Sequence, residues 1–341
     1  MKQVSNTKNL LVLTSSIFQS ITKKLTPLFF SAFVLLLAGC YKNLPIDFGP
    51  KNTPGSIQIN FTEPNLFPEG VAYDPFQDWF YVSSASHGTV GIVTRKGTYT
   101  PFITDENLTG TTGLKVDKVH KRLWVCNIEN GIGSYNLNTG TRIFYTDLTA
   151  LLPGEPVFIN DEALDPEGNA YVTNSASPVI YKVTRAGKAS VFFQNAAFTL
   201  PPGEFGFNGI QYDGRGFLLV AFANQLVKIP VRNPAGYSIV QLDATVSPDG
   251  LLLGKDGKQL VVVSNTGGTP DDRVLSFVSN DEWKSGSMST SFNTSAVFPT
   301  TATSDGKRVY VLYSHLDKLI NGENQNTFTI QEVPLKKPTQ F

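Results

Sequence analysis

An all-β, six-bladed β-propeller with four-stranded blades is the fold this sequence predicts, and three observations predict it. A short pattern recurs six times: a tight turn carrying Asn, Asp, Glu or Gly, an apolar strand, a D-x-x-G-type turn, and a second strand such as YVT or VVV. The copies follow one another at intervals close to the roughly 40 to 50 residues that four strands and their turns occupy. No long stretch shows apolar spacing of 3.6, whereas many Gly, Pro, Asn and Thr with abundant Val, Phe and Tyr suit short strands and tight turns. A blade of this size cannot bury both faces of its sheet alone, so six stacked around an axis share a core and leave little edge exposed.

The first blade opens at Pro68-Glu69-Gly70-Val71-Ala72-Tyr73-Asp74 and the second at Gly113-Leu114-Lys115-Val116-Asp117. The third opens at Asn160-Asp161-Glu162-Ala163-Leu164-Asp165 and the fourth at Asn208-Gly209-Ile210-Gln211-Tyr212-Asp213. Pro248-Asp249-Gly250-Leu251-Leu252-Leu253 and Pro299-Thr300-Thr301-Ala302-Thr303-Ser304 open the fifth and sixth. Gly70, Gly113, Glu162, Gly209, Gly250 and Thr301 are taken as equivalent. The repeat runs from about Gly55 to Val333 without a linker rich in Pro, Ser or charge, so residues 55–341 read as one domain.

Ahead of it, Lys23 and Lys24 precede an apolar run from Leu28 to Leu37 and then Leu37-Ala38-Gly39-Cys40. The run is shorter than the roughly 20 residues a spanning helix needs, and it ends in small residues before a cysteine. This resembles a bacterial lipobox, so residues 1–39 are expected to be a lipoprotein signal peptide. Cleavage would leave Cys40 to carry palmitate-type acyl chains, with residues 41–54 as a flexible tether. Tyr41 stands where inner-membrane retention signals carry Asp. The expected location is therefore the bacterial envelope, anchored at the outer membrane and facing the periplasm or the cell surface.

The precursor is formally neutral, but the leader holds four Lys and no acid, leaving 24 basic against 28 acidic residues. No basic stripe invites nucleic acid. With Cys40 acylated, Cys126 has no disulfide partner and reads as a small buried hydrophobe in a strand. A monomer is the expectation. The sequence lacks the G-x-S-x-G elbow, the phosphate-binding P-loop, the G-x-G-x-x-G turn and zinc signatures such as C-x-x-C or H-E-x-x-H.

In a propeller the innermost strand of each blade starts near the central channel, so side chains at one repeat position converge on one mouth. Glu69, Asn160 with Asp161, Asn208 and Asp249 open four of the six blades. Two carboxylates and carboxamides on an axis offer the hard oxygen ligands of calcium, with Zn2+ or Mn2+ as alternatives. Asn, Asp and Gly also suit the turns at strand starts, which is the competing explanation. His87 and His315 follow second strands of neighbouring blades and are candidates to reach the mouth as proton shuttles, or are solvated loop residues. His120 lies in a turn on the opposite face. Asn127, Asn174 and Asn265 end second strands in WVCN, YVTN and VVSN, either as a polar collar in the mouth or to satisfy strand-end backbone groups.

Phe158-Ile159-Asn160-Asp161 through Asp165-Pro166-Glu167-Gly168 to Tyr171-Val172-Thr173, with Asn208-Gly209-Ile210 and Pro248-Asp249-Gly250, resembles the senescence marker protein/gluconolactonase family of six-bladed propellers. Asn169–Ser175 and Phe298–Thr301 leading to Val309–Tyr313 are similar to its calcium-dependent phosphotriesterase-like branch. The resemblance implies a metal held by Glu69, Asn160, Asn208 and Asp249, with Asp249 also the general base and Asn160 facing metal or substrate. It further implies a divalent-metal-dependent hydrolase opening lactones or cleaving related esters. Sugar-lactone members carry an arginine where this chain has Phe158, so an apolar lactone or ester is the expected substrate. Phe158, Phe205 and Phe207 are candidate pocket walls, with core packing as the alternative. The rival expectation is a non-catalytic NHL-like propeller that binds a peptide, glycan or protein partner.

Overall fold

The computed structural model describes residues 57–201 and 203–335. The signal peptide, Cys40 and the tether at 41–54 lie outside the described residues. Within them, six sheets succeed one another along the chain, five of four strands and one of five. Blade one runs outward from its innermost strand Val71–Asp74 through Trp79–Val82 and Thr89–Thr94 to Tyr99–Thr104. The innermost strands of blades two to six are Thr111–Asp117, Ile159–Leu164, Phe207–Tyr212, Pro248–Leu253 and Pro299–Ser304. Blade five gains a two-residue strand, Gln241–Leu242, which pairs in parallel with Ser285–Asn293.

Blade six is not complete in the C-terminal segment. Its outermost strand is Gln58–Thr62 from the start of the domain, paired antiparallel with Thr327–Val333. This joins the two ends of the ring, and Phe61 from the N-terminal strand is buried against Phe328 and beside Phe67 and Phe80. Six apolar clusters fill the spaces between blades. Tyr81 and Tyr135 lie between blades one and two, Trp124 and Tyr181 between two and three, and Tyr171, Phe207 and Phe222 between three and four. Trp283 packs between blades four and five, and Val261 and Val311 between five and six. Phe207 is therefore core, fully buried, and does not line a pocket.

The aspartates of the repeat close the turn after each innermost strand. Asp74 accepts from the Phe76 amide, Asp117 from Val119 and His120, Asp165 from Asn169, and Asp213 from Arg215, Gly216 and Phe217. Asp256 and Asp305 do the same in blades five and six. Apart from Asp165, whose bond spans four residues, these are Asx turns, which explains why the residue recurs.

At the opposite, mouth-facing end, five of the six innermost strands carry a β-bulge, at Thr111/Leu114, Ile159/Glu162, Phe207/Ile210, Pro248/Leu251 and Pro299/Ala302. Pairing with the second strands makes Val71, Leu114, Glu162, Ile210, Leu251 and Ala302 equivalent. The sequence alignment placed Glu162 with the glycines, one residue out. Asp161 is the true counterpart of Gly70, Gly113, Gly209, Gly250 and Thr301.

Those glycines mark where one blade's inner strand meets the next. A Cβ on Gly70 would lie 2.1 Å from the Thr112 carbonyl oxygen, and one on Gly209 would lie 2.3 Å from that of Asp249. Gly70→Ala must push blades one and two apart and is expected to cost about 2 kcal/mol or more. Gly214→Ala, in a turn with φ +78° and open space around it, should cost about 1 kcal/mol from backbone strain alone. Urea unfolding of the two variants checks the ordering.

Candidate functional site

Two residues before the equivalent apolar position stand Glu69, Thr112, Asn160, Asn208, Asp249 and Thr300, one from each blade. Each of the last five lies inside its bulge, where an extra residue bends the strand and re-aims a side chain. The structure thus brings the four predicted ligand residues to one level of the propeller. The two threonines at this level turn sideways and fasten neighbouring blades. Thr112 Oγ1 donates to the Ile159 carbonyl at 3.0 Å, and Thr300 Oγ1 donates to that of Glu69 at 2.6 Å. Thr301 Oγ1 adds a second bond to the Glu69 carbonyl, while the Glu69 and Gly70 amides donate to Ser83 Oγ. Glu69 is held by its backbone, leaving its carboxylate for the axis.

The electrostatics follow from burial. Glu69 is driven well above the usual carboxylate range, first by desolvation and then by the charges of Asp249 and Asp161. Burial likewise pushes Asp249 up to about 7, opposed by hydrogen bonds from Asn265 and Asn208. Oε2 of Glu69 and Oδ1 of Asn160 are buried and accept no hydrogen bond. Among the described residues no group of three or more His, Cys, Asp or Glu forms a metal cluster; two of the four oxygen donors here are carboxamides.

Asn265 donates from Nδ2 to Asp249 Oδ2 at 2.9 Å. The other two strand-end asparagines do different work. Asn127 Oδ1 accepts from the Thr109 and Gly110 amides, and Asn174 Oδ1 from Phe158 and Ala176. Both are buried loop anchors, so the collar reduces to Asn265. The Asn174 bond does have one consequence for the mouth, because it fixes Phe158, whose half-buried ring meets Phe205 edge-on with centroids 5.0 Å apart.

His87 and His315 lie in the loops after the second strands, at the end where Val71 and Pro299 begin. His87 is exposed, and its amide donates to Ser84 Oγ. His315 is half-buried in left-handed backbone at the start of the short helix Leu316–Asn321, and burial lowers its pKa. His120 is a brace between blades two and three, with Nδ1 2.7 Å from Asp117 Oδ2 and Nε2 2.6 Å from Arg185. A surface depression lined by Asp105, Tyr135 and Arg142 lies away from the axis, and its polar groups satisfy one another.

Sequence reasoning missed a second charged layer. Lys115 Nζ is 2.6 Å from Asp161 Oδ1, Asp161 Oδ2 accepts from the Ile210 amide, and the Cys126 thiol donates to Glu162 Oε2 at 3.0 Å. Cys126 is buried as expected, but it meets a carboxyl rather than only apolar neighbours. Burial raises Glu162 to about 8.

No family model matches the chain, and no curated protein matches it in sequence. Solved structures share its fold. The major allergen Mala s 1 of Malassezia sympodialis aligns at 20% identity and TM-score 0.65, covering 81% of this chain and 96% of that one. Regucalcin of Agrobacterium tumefaciens, a calcium-binding protein, aligns at 18% and 0.57, covering 82% and 95%. A gluconolactonase of Xanthomonas campestris aligns at 14% and 0.58, covering 82% and 90%. At these identities the likeness establishes the six-bladed propeller.

The raised carboxyls set a pH dependence for metal-free protein. Their folded pKa values exceed the roughly 4 of an unfolded chain, so the folded state binds the extra protons. That stabilisation is complete below about pH 4 and is lost as pH rises through about 7 for Asp249 and about 8 for Glu162. In chelator, the melting temperature should fall between pH 5 and 8, and less steeply in Asp249→Asn; a flat profile would contradict the assignment.

Proposed function

We propose that this chain is a divalent-metal-dependent hydrolase that opens lactones or cleaves related esters at the mouth of its channel. One observation carries the reading: four oxygen-bearing side chains share one level of the ring, and two of them, Glu69 and Asn160, present buried oxygens with no hydrogen-bond donor. An unsatisfied buried acceptor is costly, and a cation at the axis would satisfy both. The donor set of two carboxylates and two carboxamides fits a hard ion such as Ca2+, with water completing its coordination. Regucalcin and the gluconolactonase lend support by sharing the propeller, as does the motif resemblance to the calcium-dependent phosphotriesterase-like branch.

Glu69, Asn160, Asn208 and Asp249 would hold the ion. Bound there, it would polarise the substrate carbonyl and stabilise the charge that develops on its oxygen. Asp249 is suited to take a proton from water, being a carboxylate at the ring whose Oδ2 is held by Asn265. Asn265 orients that carboxylate. Phe158 and Phe205 place an apolar wall beside Asn160, favouring an apolar lactone or ester over a sugar acid. His87 and His315 are proposed to exchange protons with solvent at the rim. Anchoring through Cys40 would display the channel at the bacterial envelope.

The test is acid release from aliphatic, aromatic and sugar lactones by chelated and calcium-restored protein. Turnover should require the metal and favour apolar rings. Asp249→Asn should lower kcat/KM by at least about 10²-fold, and Glu69→Gln should raise the calcium concentration needed. Undiminished turnover in chelator would defeat the metal role. Silence across the panel in folded, calcium-bound protein would leave a binding propeller.

A further inference from the structure

One step along the strands from the ring, blades two and three break the repeat at three positions. Asp161 stands where four blades have glycine and the sixth has Thr301. Glu162 stands where the others have Val71, Leu114, Ile210, Leu251 and Ala302. Lys115 stands where the others have Ala72, Ala163, Gln211, Leu252 and Thr303. The three substitutions meet in space. Lys115 contacts Asp161 at 2.6 Å, and both act electrostatically on Glu162. Glu162 is fully buried, and its Oε1 has no hydrogen-bond partner. Asp161 also reaches blade four through the Ile210 amide. A positive charge at this point therefore ties three blades together, and in this chain an ammonium supplies it.

We infer that the Lys115 ammonium is a built-in cation filling a second cation position formed by Asp161 and Glu162, which limits the channel to one exchangeable divalent ion. The inference rests on the ring of Glu69, Asn160, Asn208 and Asp249 being the site of that one ion. Its physical basis is charge balance. Glu69, Asp161, Glu162 and Asp249 are buried around one channel, and Lys115 is the cation among the groups acting on Glu69. Removing the ammonium while keeping the carboxylates leaves Asp161 buried and unpaired beside Glu162, a pair of hard oxygen donors that a divalent ion would neutralise.

Calcium titration calorimetry with equilibrium dialysis on the purified chain tests this, alongside melting curves with and without chelator. Wild type and Lys115→Arg should bind one equivalent. Lys115→Met should bind two, or bind one at least about tenfold more tightly because a repelling charge is gone. Its melting temperature should drop in chelator and recover with calcium. The double variant Lys115→Met/Asp161→Asn, which removes both charges, should return to one equivalent at wild-type affinity. A folded Lys115→Met with wild-type stoichiometry and affinity would overturn the inference, as would two equivalents in wild type. Should Lys115→Met stay unfolded with and without calcium while the double variant folds, a metal cannot replace the ammonium and the inference falls. If wild type binds no calcium and Lys115→Met binds one, the built-in cation stands and the metal-dependent hydrolase reading fails.

Discussion

The inner strands approach one another so closely that the backbone of one blade lies where the Cβ of its neighbour would be. Gly70, Gly113, Gly209 and Gly250 occupy that contact, each with a hypothetical Cβ within 2.5 Å of an atom of the next blade. Everything at the axis depends on this spacing. Because the strands are so near, the residue just before each glycine is carried to a common level, and in every blade but the first that residue lies in a bulge. A wider ring would separate Glu69 from Asp249, and the electrostatic effect of Asp249 on Glu69 would weaken. Asp161 occupies the glycine position in blade three. Its larger side chain is accommodated because the neighbour facing it is Gly113, where a Cβ would sit 2.7 Å from Asp161 Oδ1.

Charge is the second consequence of that closeness. Burial disfavours the charged form of each carboxyl, and neighbouring carboxylates add to that cost, so Glu69, Glu162 and Asp249 are all displaced upward. Lys115 moves the other way. Burial opposes its charge, but Asp161 and Glu162 outweigh that cost and raise its pKa. The lysine is consequently a fixed ammonium rather than a nucleophile, and its role in the channel is electrostatic.

Much of this was legible in the sequence because propeller geometry converts repeat position into spatial position. The six openings, the Asx turns and the four oxygen donors could be read that way. What escaped reading depended on features with no repeat signature. The bulges shift the count by one residue, so Glu162 was aligned with glycines when Asp161 belongs there. Closure by Gln58–Thr62 escaped because a single strand far from its partner shows no period. WVCN, YVTN and VVSN look alike, yet only the third asparagine meets a carboxylate at the axis. The signal was present in hindsight: blade five places Asp249 beside that strand end, whereas blades two and three have Thr112 and Asn160 at the same level. Lys115 and Glu162 were visible as charged residues at positions where the other blades carry uncharged ones, and that departure from the repeat was the missed clue.

A fold shared by an allergen, a calcium-binding protein and a gluconolactonase cannot by itself choose a chemistry. The choice comes from how polarity is distributed between axis and rim. The buried oxygens with no donor belong to Glu69 and Asn160 in the ring, whereas Phe158, two residues before Asn160, packs edge to face with Phe205. A partner bound only by the rim would gain apolar contact there but would leave Glu69 Oε2 and Asn160 Oδ1 as buried as before. On the proposed reading, a small carbonyl compound entering with a cation would address both regions, its polar end meeting the axis and its apolar part meeting Phe158 and Phe205. A small apolar ester or lactone, rather than a peptide or glycan lying across the channel, is proposed on that division of labour.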